Sequence, residues 1–87
     1  MTKEELLEAQ NLNRHIHYRT EDLKDIKYYE DKYSDYPIRL QLKRTSSDNL
    51  FSNVDIYDEG LKKEIINLVK IHFIADIQKC EKELEQL

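Results

Sequence analysis

The chain has almost no backbone punctuation and almost no sulfur chemistry. Of its 87 residues one is glycine, one proline and one cysteine, and tryptophan is absent. A single cysteine, Cys80, cannot form a disulfide within the chain, which fits a reducing, cytosolic compartment. So little glycine and proline, beside so many Glu, Lys and Leu residues, favours long helices over a β-sandwich or a disordered chain. No apolar stretch approaches the ~18 residues that a membrane span needs. The opening Met1-Thr2-Lys3-Glu4-Glu5 is charged and carries no apolar signal-peptide run. There is no glycine-rich phosphate loop, and no serine or threonine sits in a nucleophile-like motif. Enzyme activity is therefore not expected, and no cofactor is implied.

What is present is charge. Charged residues make up 37% of the chain and the net charge is −4. The balance is uneven, with residues 1–36 and 58–87 acidic and residues 37–57 slightly basic. A protein of this kind offers no broad basic face, so duplex DNA is not an expected partner. The length corresponds to one domain, residues 1–87. A chain this short buries a modest core, and its monomer is marginal unless it is stapled or oligomeric.

Hydrophobic spacing predicts an α+β fold of αββα order: two long antiparallel, coiled-coil-like helices connected by a two-stranded β-hairpin. The first helix is expected over residues 3–33. Thr2 and Glu5 have the spacing of a capping box, and Ala9, Leu12, Ile16, Leu23, Ile26 and Tyr33 follow a seven-residue rhythm. Arg19 occupies the missing position of that seam. Pro37 disfavours helical geometry at Tyr36, so the helix should stop near Ser34. The hairpin is expected over 37–57. Ile38, Leu40 and Leu42 alternate with polar residues, Thr45-Ser46-Ser47-Asp48-Asn49 has turn composition, and Val54 and Ile56 alternate on the return. Leu50 and Phe51 suggest a bulge or wide loop at the start of that second strand. The second helix is expected over 59–87, with Asp58 as its N-cap. Its seam reads Ile66, Val69, Phe73, Ile77, Cys80, Leu84, Leu87.

Antiparallel packing with Tyr33 near Glu59 makes facing residue numbers sum to about 92. Leu23 then meets Val69, Ile16 meets Asp76 and Ile77, Leu12 meets Cys80, and Leu6 meets Leu87. A second apolar stripe, Leu61, Ile65, Leu68 and Ala75, covers another face of the second helix. It can pack the hairpin or a second copy of the chain, so a homo-oligomer, a dimer or higher, is expected.

Three groups of residues carry candidate chemistry. Arg19, a charge in the seam, falls near Asp76, and the two read as a structural ion pair that fixes register. Tyr28, Tyr29, Tyr33 and Tyr36 cluster at the end of the first helix, with Tyr57, Arg39, Lys43 and Arg44 on or beside the hairpin. Aromatic faces with guanidinium groups can clamp a nucleobase and its phosphates. They also serve as protein-interface anchors or as a packing corner. In the ligand-binding reading Tyr33, Tyr36 and Tyr57 stack, while Arg39, Lys43 and Arg44 pair with phosphate. His15 and His17 are two apart and diverge on a helix, so no metal site is expected. Cys80, on a helical seam without a neighbouring base, reads as a small buried thiol.

The Met1-Thr2-Lys3-Glu4-Glu5-Leu6-Leu7 opening, the two-strand insert and the ending Cys80-Glu81-Lys82-Glu83-Leu84-Glu85-Gln86-Leu87 resemble those of small uncharacterised phage and prophage helix–hairpin–helix proteins of Gram-positive bacteria. The resemblance covers most of the chain and carries over no functional residue. It implies a phage origin and the host cell cytosol. By analogy with small phage proteins that lack enzyme motifs, it implies action by binding against host defence. Two expectations follow. In one, a homo-oligomer sequesters an anionic nucleotide signal, a nucleotide-type small molecule. In the other, an inhibitor or adaptor binds a host defence protein or a phage protein through its acidic helices or its tyrosine-rich hairpin end.

Overall fold

The structure is a computed structural model that describes residues 1–43 and 50–87. It contains four elements: α1 (Lys3–Lys32), β1 (Ile38–Lys43), β2 (Phe51–Ile56) and α2 (Glu59–Glu85). Two long helices are joined by an antiparallel two-stranded hairpin. The expected turn at residues 45–49, and Arg44 before it, lie outside the described residues.

Both helices begin where side chains satisfy their first amide groups. The Glu5 amide donates to Thr2 Oγ1 at 3.1 Å, and the Thr2 amide donates to Glu5 Oε1 at 3.2 Å. At the start of α2 the Leu61 amide donates to Asp58 Oδ1 at 2.7 Å. The first turn of α2 tolerates Gly60, whose φ is not positive.

The helices run antiparallel and meet along the heptad seam. Ala9, Leu12, Ile16, Leu23 and Ile26 on α1 are half-buried, as are Ile66, Val69, Phe73, Ile77 and Leu84 on α2. Two expected members leave the seam. Leu6, placed opposite Leu87 by the register, is exposed. Tyr33 is also exposed, because α1 ends one residue earlier. Tyr33 leaves helical geometry (φ −130°, ψ 23°) and its amide donates to the Tyr29 carbonyl, which swings its ring off the stripe.

Strands β1 and β2 pair without interruption, Ile38 with Ile56, Leu40 with Val54, Leu42 with Ser52 and Lys43 with Phe51. Of the bulge or wide loop expected near Leu50 and Phe51, no bulge forms at Phe51, which sits directly opposite Lys43 in the ladder, and the loop before Leu50 lies outside the described residues. Paired residues share a face. Ile38, Leu40, Leu42, Val54 and Ile56 therefore make one apolar face, and Arg39, Gln41, Lys43, Phe51, Asn53 and Asp55 make the other.

The interior is thin. Among the described residues the buried side chains are Cys80, 8% exposed, and Lys62, 3% exposed, and no large side chain is fully enclosed. The molecule measures 49 × 34 × 18 Å. Its radius of gyration is 16.7 Å, against about 12 Å for a compact domain of this length.

Candidate functional site

The corner between α1 and β1 concentrates the chain's chemistry. Lys62 holds it together. Its ammonium reaches back from the first turn of α2 to donate to the Ser34 carbonyl at 2.8 Å and the Tyr36 carbonyl at 3.1 Å, and it pairs with Glu59 at 2.8 Å. The Tyr29 hydroxyl also donates to the Tyr36 carbonyl. The polypeptide leaving α1 is thus tied to the start of α2 by donors from both helices. The hydrogen bond to Glu59 raises the Lys62 pKa above the usual lysine value, against the opposing effect of burial. With its donors committed to carbonyls and a carboxylate, Lys62 fixes the corner and is not free to bind an anion.

Three tyrosines cover the outside of this corner. Tyr28 and Tyr33 have ring centroids 5.5 Å apart, and Tyr33 and Tyr36 lie edge to face at 5.6 Å. All three are exposed, Tyr36 at 62%. The hydrogen bond shared with Tyr33 raises the Tyr28 hydroxyl pKa, with a smaller contribution from burial.

The cationic residues of the expected ligand site are arranged differently. Arg39 makes a two-pronged bond across the hairpin to Asp55, Nε to Oδ1 at 2.8 Å and Nη2 to Oδ2 at 3.2 Å. This pairing raises the Arg39 pKa, and the same bond holds the Asp55 carboxyl below its ordinary value. Tyr57 lies close enough to Arg39 to contribute to that rise, and it is exposed. Lys43 is four residues further along β1, about 13 Å from Arg39 at the usual strand rise. The structure therefore brings Tyr33 and Tyr36 together and places Tyr57 beside Arg39. It spreads Arg39 and Lys43 along the strand, and Arg44 is outside the described residues.

A hollow of about 200 Å³ beside the tyrosines is lined by Glu30, Glu59, Lys62 and Lys63 among others, so its acids and bases balance. A larger groove, about 380 Å³, runs between the hairpin and the helix pair. Its walls are mainly apolar: Ile26 and Tyr29 from α1, Pro37, Ile38 and Leu40 from the hairpin side, and Ile65, Ile66 and Val69 from α2.

Arg19 lies on the seam with three partners. Its Nη1 donates to Asp22 Oδ2 on its own helix at 2.6 Å, and its guanidinium covers the Phe73 ring at 4.6 Å. Its Nε is 3.8 Å from Asp76 Oδ2, beyond hydrogen-bond length, and has no hydrogen-bond partner. Asp76 is also 3.8 Å from His15 Nε2. His17 instead rests against Tyr18. Among the described residues no three His, Cys, Asp or Glu side chains converge as a metal site would require. Burial raises the Cys80 thiol pKa, and Glu83 and Asp76 add to the rise.

The residue that sequence reasoning missed is Lys62. Its signal was present: it precedes Ile66, Val69 and Phe73 on the same helical face, so a lysine had to point into the seam. No helix of the described residues is long and apolar enough to cross a membrane. Comparison with known proteins finds no matching family model, no matching curated protein and no matching solved structure.

Proposed function

We propose that this is a non-enzymatic binding protein of the cytosol that acts by protein–protein contact through its tyrosine-rich corner. The observation that carries the reading is the exposed Tyr28–Tyr33–Tyr36 cluster on a corner immobilised by Lys62 and Tyr29. Aromatic side chains held in place before binding lose little freedom when a partner covers them, which is the character of an interface anchor. The sequence around the cluster contains Glu30, Asp31, Asp35, Asp58 and Glu59 beside Lys27, Lys32, Lys62 and Lys63. The slight excess of acids, and the commitment of Lys62 to carbonyls and Glu59, suit a basic partner surface better than an anionic one. An inhibitor or adaptor that covers the basic site of a host or phage protein fits this chemistry, in line with the phage-type resemblance.

Sequestration of an anionic nucleotide is the second reading. It is favoured by the open ring faces of Tyr33, Tyr36 and Tyr57 and by Lys43 on the exposed hairpin face. The engagement of Arg39 by Asp55 weighs against it, because a phosphate would have to displace a two-pronged carboxylate.

Native mass spectrometry of gently purified protein separates the two readings. A mass equal to the bare chain or its multiples, with a partner protein captured by wild type and lost on Tyr33→Ser and Tyr36→Ser substitution, supports the interface. That capture should weaken as salt rises. Extra mass matching a nucleotide, reduced in Lys43→Ala, overturns it in favour of sequestration.

A further inference from the structure

The groove between the hairpin and the helix pair adjoins the tyrosine corner at Tyr29 and Pro37 but is lined by none of Tyr28, Tyr33 and Tyr36. Beside it, α2 presents the stripe Leu61, Ile65, Leu68 and Ala75, with Leu68 58% exposed and Ile71 at its margin 65% exposed. Across it stands the apolar hairpin face, where Leu40, Leu42 and Val54 are all exposed. We propose that a second copy of the chain fills this groove, with the α2 stripes of the two copies packed about a two-fold axis. Each hairpin lays its Ile38, Leu40, Leu42, Val54 and Ile56 face over the partner's α2.

Area supports a second copy as the occupant. A compact monomer of 10.5 kDa exposes about 5,400 Å², whereas this chain exposes 7205 Å². The excess of about 1,800 Å² per chain, doubled over two chains, lies within the roughly 2,000–5,000 Å² buried by obligate homodimers. Folding energetics point the same way. With Cys80 as the single buried apolar side chain among the described residues, the isolated chain lacks the core that sustains a domain of this size. The missing surface must be supplied whenever the chain is made, and another copy is the molecule always present with it.

Complementarity completes the argument. The hairpin face and the α2 stripe are both apolar, and each chain carries one of each. A two-fold operation therefore satisfies both in both copies at once, because residue i meets j and j meets i. Arg39 and Asp55 share the opposite hairpin face and neutralise each other there, and Arg39 also borders the groove across from Asp25. His72 is the ionisable member of the α2 stripe between Leu68 and Ala75, and it is exposed. The hairpin makes few contacts with the helices of its own chain, which leaves it available to the partner's.

Sedimentation equilibrium and cross-linking test the proposal. Wild type should sediment at twice the 10.5 kDa chain mass. Leu68→Glu should weaken the dimer at least ~30-fold, the effect of losing one anchor of about 2 kcal/mol. The geometry is read separately by mixing two variants on a Cys80→Ser background, one carrying Leu40→Cys and the other Leu68→Cys. After oxidation a disulfide can join these only between chains. A cross-linked pair in which each variant retains wild-type circular dichroism supports the clasp. A folded monomer at micromolar concentration overturns the dimer, as does recovery of the chain in a fixed ratio with a foreign protein in place of its own copy. A dimer that survives Leu68→Glu, or that never cross-links in the mixed sample, overturns this arrangement. None of these substitutions alters a tyrosine, so loss of the dimer and loss of a partner at the tyrosine corner are read as separate results.

Discussion

Arg19 shows how a charge is accommodated in an apolar seam without a strong salt bridge. Its guanidinium spreads over Phe73 and is held by Asp22 one turn along, while Asp76 remains 3.8 Å away. A flat cation over a ring keeps much of the packing that a leucine would provide and retains a charged edge for water and carboxylates. Deleting the two partners should therefore have unequal effects. Arg19→Ala removes the cover of Phe73 and should lower unfolding free energy by about 1–2 kcal/mol. Asp76→Ala, at a half-buried carboxylate 3.8 Å from the guanidinium, should cost less than ~0.5 kcal/mol. Urea denaturation of both variants checks the ranking, and equal losses would restore Asp76 as the main partner. The seam gap at Arg19 was legible in the sequence, as was the proximity of residues 19 and 76. The stacking on Phe73 was not, because it depends on the rotation of each helix about its own axis, which a heptad pattern fixes only coarsely. The helical spacing of Lys62 placed it on the seam, but its partners were not legible: its acceptors are carbonyls 26 and 28 residues away, and carbonyls have no sequence signature.

Among the elements, the helix limits were written in local chemistry. Thr2 with Glu5, Asp58, and Pro37 mark the ends of α1 and the start of α2 within a residue or two. The alternation of Ile38, Leu40 and Leu42 marks β1. The candidate ligand residues were less legible, since their availability depends on strand register. Once Ile38 faces Ile56, Arg39 must face Asp55, and the guanidinium is committed to a carboxylate. That pairing makes the hairpin sensitive to acid. The Asp55 carboxyl is held below its ordinary value of 3.8. The pair's contribution is therefore complete above the ordinary carboxylate range and is lost as pH falls through the lowered folded value. Cross-strand nuclear Overhauser effects between β1 and β2 should weaken in that acid window. In Asp55→Asn they should already be reduced at neutral pH and lose this pH dependence. An Asp55 side-chain titration at or above the ordinary value would contradict the assignment.

For the whole molecule, shape and surface dominate. A heptad seam along two helices builds a long, narrow body in which few side chains are enclosed from all sides. The sequence showed this in part: the second stripe of α2 had no partner within the helix pair, and the hairpin had one apolar face to place. What it could not show was that the hairpin stands off from the helices and leaves a groove of about 380 Å³ between them. If the groove is filled by a second chain, folding and association are one equilibrium. The midpoint of thermal unfolding should then rise steadily with protein concentration over a hundredfold range. A midpoint independent of concentration, with a cooperative transition, would mark a self-sufficient monomer.

The antiparallel run of α1 and α2 has a practical consequence. Met1 and Leu87 lie at the same pole of the long body, and the tyrosine corner and the hairpin belong to the other. Any polypeptide attached at either terminus leaves from the pole opposite the chemistry. A surface tether, a fluorescent protein or a fused domain can thus be added at either end without covering the corner or the groove. Energy transfer between dyes at the two termini of one chain should be high in the folded state and should collapse on unfolding, so the position of the ends alone provides a reporter of the fold.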